Sequence, residues 1–112
     1  MINQFSKDSC LLLIDVQKGV DVLAHWGGKT GRRNNLEAEN NMLALLSEWR
    51  QRGLPVAWTL HDSREAASPL KLSEPGGELK PGFEIAASDI VVEKDVNSGF
   101  VGTSLEILLR RA

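Results

Sequence analysis

The sequence predicts an α/β fold: a parallel sheet doubly wound by helices on its two faces, of which this chain supplies about three strands. Three observations carry that reading. Short apolar runs at 11–14, 56–60 and 90–92 each end in polar residues. The segments between them are far too long for hairpins, so the runs pair through crossovers, which makes them parallel. Helical periodicity fills part of the first connection and resumes after the third run.

Leu11-Leu12-Leu13-Ile14 has no polar alternation and stops at Asp15, the pattern of a strand buried on both faces. Residues 18–33 hold Gly19, Gly27, Gly28 and Gly31 with Lys29, Arg32 and Arg33, and read as a loop. Asn34-Asn35 offers an N-cap, and Glu37 and Glu39 suit the positive end of a helix over 36–52. Ala38, Met42, Leu45, Leu46 and Trp49 form its apolar stripe, Gly53 stops it, and Arg50 and Arg52 complement its negative end. Pro55 precedes the second run, Val56-Ala57-Trp58-Thr59-Leu60, which ends at His61-Asp62. Residues 63–88, with Pro69, Pro75 and Pro81, are irregular; a connection of that length is usually functional or mobile. Ile90-Val91-Val92 ends at Glu93-Lys94, and Asn97-Ser98-Gly99-Phe100 makes a turn. Thr103-Ser104-Leu105-Glu106 has the capping-box pattern, in which the threonine accepts from the backbone while the glutamate reaches back. Leu105, Leu108 and Leu109 begin an amphipathic helix with no strand after it, so residues 1–112 read as one incomplete domain.

Composition excludes several classes of function. The 112 residues suffice for one small domain. A net charge of -2 provides no electrostatic footprint for nucleic acid or an anionic membrane. No apolar run approaches the roughly 20 residues of a membrane span. Asn3, Gln4 and Asp8 interrupt any signal-peptide pattern, and the single cysteine permits no internal disulfide, so a cytoplasmic location is expected.

Ligands of open α/β sheets bind outside the carboxyl ends of the strands. Asp15, His61-Asp62 and Glu93-Lys94 are therefore expected along one edge. Asp15 is suited either to exchanging protons with a substrate or to capping the turn that follows it, and these residues alone leave both open. Lys94 is equally readable as a solvated lysine at a strand end. His61 and Asp62 suggest a base or a metal ligand, but the chain has two histidines, the other being His25, and no metal-ligand spacing; no metal is expected. Cys10 starts the first strand and Asp15 follows its end, about 16 Å away along an extended chain. Cys10 is thus read as a packing residue rather than a nucleophile. Gly27-Gly28-Lys29-Thr30 lacks the first glycine of a phosphate-binding loop and the helix that should follow at once.

Taken in order, these motifs resemble a known family. Leu11-Leu12-Leu13-Ile14-Asp15-Val16-Gln17 is similar to the first-strand motif of the isochorismatase-like cysteine hydrolases, and Lys94 to Leu105 resembles their lysine motif, including its Ser, Phe and Thr-x-Leu positions. Trp49-Arg50, Pro55-Val56, His61-Asp62-Ser63 and Ser68-Pro69-Leu70 fit between them, so the resemblance spans essentially the whole chain. It implies a Rossmann-like three-layer fold of about six strands with the first strand in the middle. It also implies an Asp-Lys-Cys triad that hydrolyses small amides or related C–N bonds through a thioester. Asp15 matches the Asp and Lys94 the Lys, while the Cys of the pattern would lie one strand further on. By position in the motifs, Gln17, Trp26, His61 and Phe100 are candidates for substrate contact. The Asp-x-His metal motif of nicotinamidase-type members is replaced by Thr59-Leu60-His61-Asp62-Ser63, so neither metal nor cofactor is implied. The expected partners are a small-molecule substrate and either further copies of the chain or a complementing Cys-bearing segment. Two other readings remain: an inactive remnant serving as a binding or assembly module, and Cys-independent acid catalysis by Asp15, as in relatives that hydrolyse a vinyl ether.

Overall fold

In the computed structural model, which describes residues 4–22 and 37–112, three strands lie parallel in the order β1 (Leu11–Ile14), β2 (Val56–His61), β3 (Ile90–Lys94). Helix α1 (Ala38–Arg52) falls between β1 and β2 in the chain, and α2 (Leu105–Arg111) follows β3. The apolar runs therefore mark the strands, with His61 and Lys94 as the last residues of β2 and β3.

Register explains how two layers of helix form. Leu11 pairs with Val56, Leu13 with Trp58, Thr59 with Val92 and His61 with Lys94. Because side chains alternate along a strand, Leu11, Leu13, Val56 and Trp58 share one face while Thr59, His61, Val92 and Lys94 share the other. The first face packs against α1 in a core of Leu13, Val16, Leu46, Trp49, Val56, Trp58 and Phe83. On the second face, α2 packs against β3, with Leu105 fully buried. The turn before α2 meets β2 there: a Cβ added to Gly99 would stand 2.7 Å from Thr59 Cγ2 and 3.4 Å from Leu105 Cδ2. Opposite faces carry the two helices, which is the doubly wound arrangement.

A second cluster binds the amino ends of the strands. Asp89, with a side chain 2% exposed, accepts from Arg50 Nη2 at 2.6 Å, Trp58 Nε1 at 2.8 Å and the Ala86 amide at 2.9 Å. One carboxylate thereby joins the end of α1, the middle of β2 and the approach to β3.

Several expectations need correction. The apolar run of β1 reads as buried on both faces, while a chain holding only half of a larger sheet is expected to leave that strand as an open edge. It forms one edge of the described sheet, and Ile14 is 58% exposed because no described element covers it there. In β3 burial alternates and Val91 is exposed, so the continuous buried stretch is Val56 to Thr59 of β2. Helix α1 starts at Ala38 with Glu37 as its N-cap; Asn34, Asn35 and Leu36 lie outside the described residues. Gly53 does close it in the left-handed region, at φ 65°. Leu45 of the proposed stripe is exposed, while Leu43 packs on the core. The capping box is half formed: Thr103 Oγ1 accepts from the Leu105 amide at 3.2 Å, but Glu106 pairs with Arg110 instead of reaching back. Within 18–33, Lys18–Asp21 form a 3-10 turn, and residues 23–33 lie outside the described set.

The connection 63–88 is pinned rather than loose. The Lys18 and Lys80 amides donate to Glu78 O at 2.9 Å and Val16 O at 3.2 Å, and Leu70 and Phe83 are buried. Lys80, 6% exposed, ties Asp21 of the 3-10 turn to Glu39 of α1. Buried apolar and ionic anchors of this kind compensate for the missing secondary structure.

Candidate active site

The carboxyl ends of the strands converge as the sheet geometry requires. His61 and Lys94 are register partners on one face, which sets their side chains side by side. Asp15 arrives differently. Simple alternation after Ile14 would turn its side chain toward α1, but Asp15 has φ 53° and is the one described non-glycine residue with a left-handed backbone. That turn re-aims its carboxylate across β2. Its amide still extends the ladder to Thr59 O at 3.1 Å, while its carbonyl accepts from the Gln17 amide at 2.8 Å.

Lys94 is the centre of the arrangement. Its side chain is wholly buried, and Nζ contacts Asp15 Oδ2 at 3.0 Å, Val96 O at 3.0 Å and His61 Nδ1 at 2.9 Å. The solvated-lysine reading is thereby excluded. Thr59 Oγ1, on the same face, donates to the other carboxylate oxygen of Asp15 at 3.3 Å. Asp15 keeps 26% of its side chain exposed. It opens onto a cleft of about 480 Å³, also lined by Val20, His61, Ser68, Leu70 and Asn97.

The other candidates separate by geometry. Gln17 is fully buried, and its amide is committed to backbone: Nε2 donates to His61 O and Gly77 O, each at 3.0 Å, and Oε1 accepts from the His61 amide at 2.8 Å. It holds the end of β2 against the 63–88 connection, which places it behind the cleft wall rather than in it. Asp62 likewise accepts from the Leu72 amide at 3.0 Å. Phe100 is 53% exposed in the turn before α2 and is not part of the cleft lining. Trp26 and His25 lie outside the described residues. Cys10 sits at the amino edge of the sheet, where burial and then the nearby charge of Asp89 push its thiol up, away from the reactive thiolate. Among the described residues no three His, Cys, Asp or Glu side chains gather as a metal site, and no helix is long and apolar enough to cross a membrane.

This pattern of a strand-end carboxylate locked to a buried lysine coincides with a family match. The model of the isochorismatase domain matches residues 9–112. The chain belongs to the isochorismatase family. An uncharacterized isochorismatase family protein of Bacillus subtilis, YrdC, is 34% identical over 100 residues, which are 89% of this chain and 51% of that protein. A crystal structure of an isochorismatase-family protein from Chromobacterium violaceum superimposes with a TM-score of 0.82 at 39% identity, over 98% of this chain and 54% of the other. An isochorismatase from Pseudomonas putida gives 0.76 at 27% identity, over 94% and 51%. The chain spans about half the length of these isochorismatase relatives.

Proposed function

We propose that this chain contributes the proton-transfer half of a cysteine hydrolase acting on a small amide or other C–N bond, with Asp15 and Lys94 as two members of an Asp-Lys-Cys triad. The third member comes from outside these residues, because Cys10 lies at the wrong edge of the sheet with a thiol disfavoured for ionisation. One observation carries the reading: the Asp15 carboxylate is fixed 3.0 Å from a fully buried ammonium while part of it still faces a cleft. A carboxylate so held can take a proton from a thiol as the sulfur attacks the carbonyl carbon. Returning that proton to the nitrogen as the C–N bond breaks releases the amine and leaves a thioester. Water then adds to the thioester carbon, giving up a proton to Asp15; the carboxylic acid departs and the thiol is restored. Lys94 Nζ is wholly buried and within 3.0 Å of Asp15 Oδ2, Val96 O and His61 Nδ1, so in this reading it acts by charge and by positioning Asp15.

The second reading, an assembly or binding module without activity, is favoured by the open edge of β1 and the exposed Ile14 beside it. Native mass spectrometry of the protein as isolated from cells, paired with ammonia release from a panel of small primary amides, separates the two. The hydrolase reading expects a species heavier than the 12.3 kDa chain, containing a Cys-bearing polypeptide, whose turnover is abolished by Asp15→Asn. A lone, inactive chain sinks it in favour of the module. Turnover that survives Asp15→Asn removes the role given to that residue.

A further inference from the structure

The ammonium of Lys94 has three hydrogens and no acceptor. Its three neighbours are the Asp15 carboxylate, the Val96 carbonyl and His61 Nδ1. The first two can only accept. The third must accept as well, since a ring N–H aimed at an ammonium at 2.9 Å would set donor against donor. His61 Nδ1 therefore carries no proton, and the neutral ring keeps its hydrogen on Nε2. The choice of tautomer follows from counting donors at one buried nitrogen.

We infer that Lys94 locks His61 in the Nε2–H tautomer, and that His61 presents this N–H to the cleft as a hydrogen-bond donor for a carbonyl or carboxylate oxygen of the ligand. The placement supports both parts. His61 is the last residue of β2, side by side with Lys94, and its backbone is clamped by Gln17 at both N–H and C=O, so the ring has a fixed origin. The ring is half-buried and lines the cleft that Asp15 opens into. Among the described residues, Nε2 has no hydrogen-bond partner of its own. An acceptor oxygen of the ligand would satisfy it while the adjacent carbon faced the carboxylate side. Lys94 is then a positioning residue for two groups at once, and His61 selects substrates that carry an acceptor. The ligand part rests on the hydrolase reading of the cleft; the tautomer part stands without it.

Nitrogen NMR of the chain labelled at histidine tests this directly. The chain has two histidines, so a His25→Gln variant assigns the signals. Near neutral pH, long-range proton–nitrogen correlations should show His61 with an unprotonated Nδ1 and a protonated Nε2, in a single tautomer. A protonated Nδ1, or rapid averaging of both tautomers, overturns the inference irrespective of any activity. In Lys94→Met, folding being checked by amide dispersion, the lock should be lost and the two tautomers should mix. If that variant fails to fold, the wild-type spectrum still decides. Titrating wild type with acetamide should shift the Nε2 resonance toward saturation, with no such shift in the ring signals of His25. No movement at molar acetamide overturns the donor role and leaves the tautomer lock intact. Hydrolysis could fail in every assay while the tautomer result held, so the two conclusions separate.

Discussion

Asp15 owes its place beside Lys94 to an unfavourable backbone. A left-handed conformation costs an ordinary side chain about 1–2 kcal/mol, and Asn and Asp tolerate it best because their short polar groups bond locally. Asp15→Asn should therefore keep the turn and lose only the ion pair, whereas Asp15→Ala should lose roughly another 1 kcal/mol to strain, readable as a further drop in urea midpoint. Equal midpoints would show that φ 53° is not costly here. The Lys94 contacts predict non-additivity. Removing the ammonium leaves the Asp15 carboxylate with Thr59 Oγ1 as its remaining side-chain donor and His61 Nδ1 without a partner, so Lys94→Met should cost about 1–3 kcal/mol. Asp15→Asn combined with it should cost less than the sum of the two, and strict additivity would mean the groups are uncoupled. Asp89 gives the pH dependence. Burial pushes its carboxyl up, but the Arg50 bond, the Ala86 amide and the Trp58 indole outweigh that and leave it below its ordinary 3.8. The unfolded chain then binds the proton first, so this contribution is complete above that ordinary value and lost as pH falls through the folded one. The gap in stability between wild type and Asp89→Asn should be widest near neutrality and shrink as pH falls below the ordinary carboxyl value. A gap independent of pH would refute the assignment. At this scale the sequence pointed to Asp15, His61 and Lys94, because each closes an apolar run. It hid the parts of Thr59 and Gln17, since those depend on register and on contacts with residues 44 and 60 positions away.

The three strands were legible because β-rich apolar runs broken by polar residues have few other uses in a chain of this kind. Their surroundings were less so. The run in β1 reads as buried, yet burial is decided by what lies on each face, and that is a tertiary fact. The capping box failed for a related reason: Glu106 has Arg110 one turn away, and an i,i+4 pair competes with reaching back to the cap. Thr103 meanwhile bonds both Gly99 O and the Leu105 amide, which ties the turn to the helix. That turn leads to a prediction for an element. Gly99 lies flat against Thr59, the residue whose hydroxyl reaches Asp15, so a methyl group there has no room. Gly99→Ala should push the turn and α2 away from β2, at a cost of about 1–3 kcal/mol, and perturb Thr59 and His61. Chemical-shift changes confined to residues 97–103, with an unchanged melting temperature, would show that the turn yields freely.

At the scale of the whole molecule, β1 has a described neighbour, β2, on one side and none among the described residues on the other. Leu11 and Asp15 donate their amides toward β2, to Pro55 O and Thr59 O. By alternation the amides of Leu12 and Ile14 point outward, and no described strand receives them. Ile14 adds an apolar side chain, 58% exposed, beside that row of free groups. Such an edge is a template for pairing with another strand, and a lysine on it is the usual deterrent. The proposed role, in which a further segment completes the site, and the alternative of an assembly module both require this edge to be sticky. Ile14→Lys should then lower the sedimentation coefficient of the isolated chain, or raise the concentration at which it associates, with unchanged far-UV circular dichroism. It should also weaken capture of any Cys-bearing polypeptide while sparing the Asp15–Lys94 pair, because Ile14 contributes no side-chain bond to that pair. If the variant sediments as wild type does, association through β1 is wrong. The exposed apolar groups in and before α2, Phe100, Val101 and Ile107, then become the surface to change next.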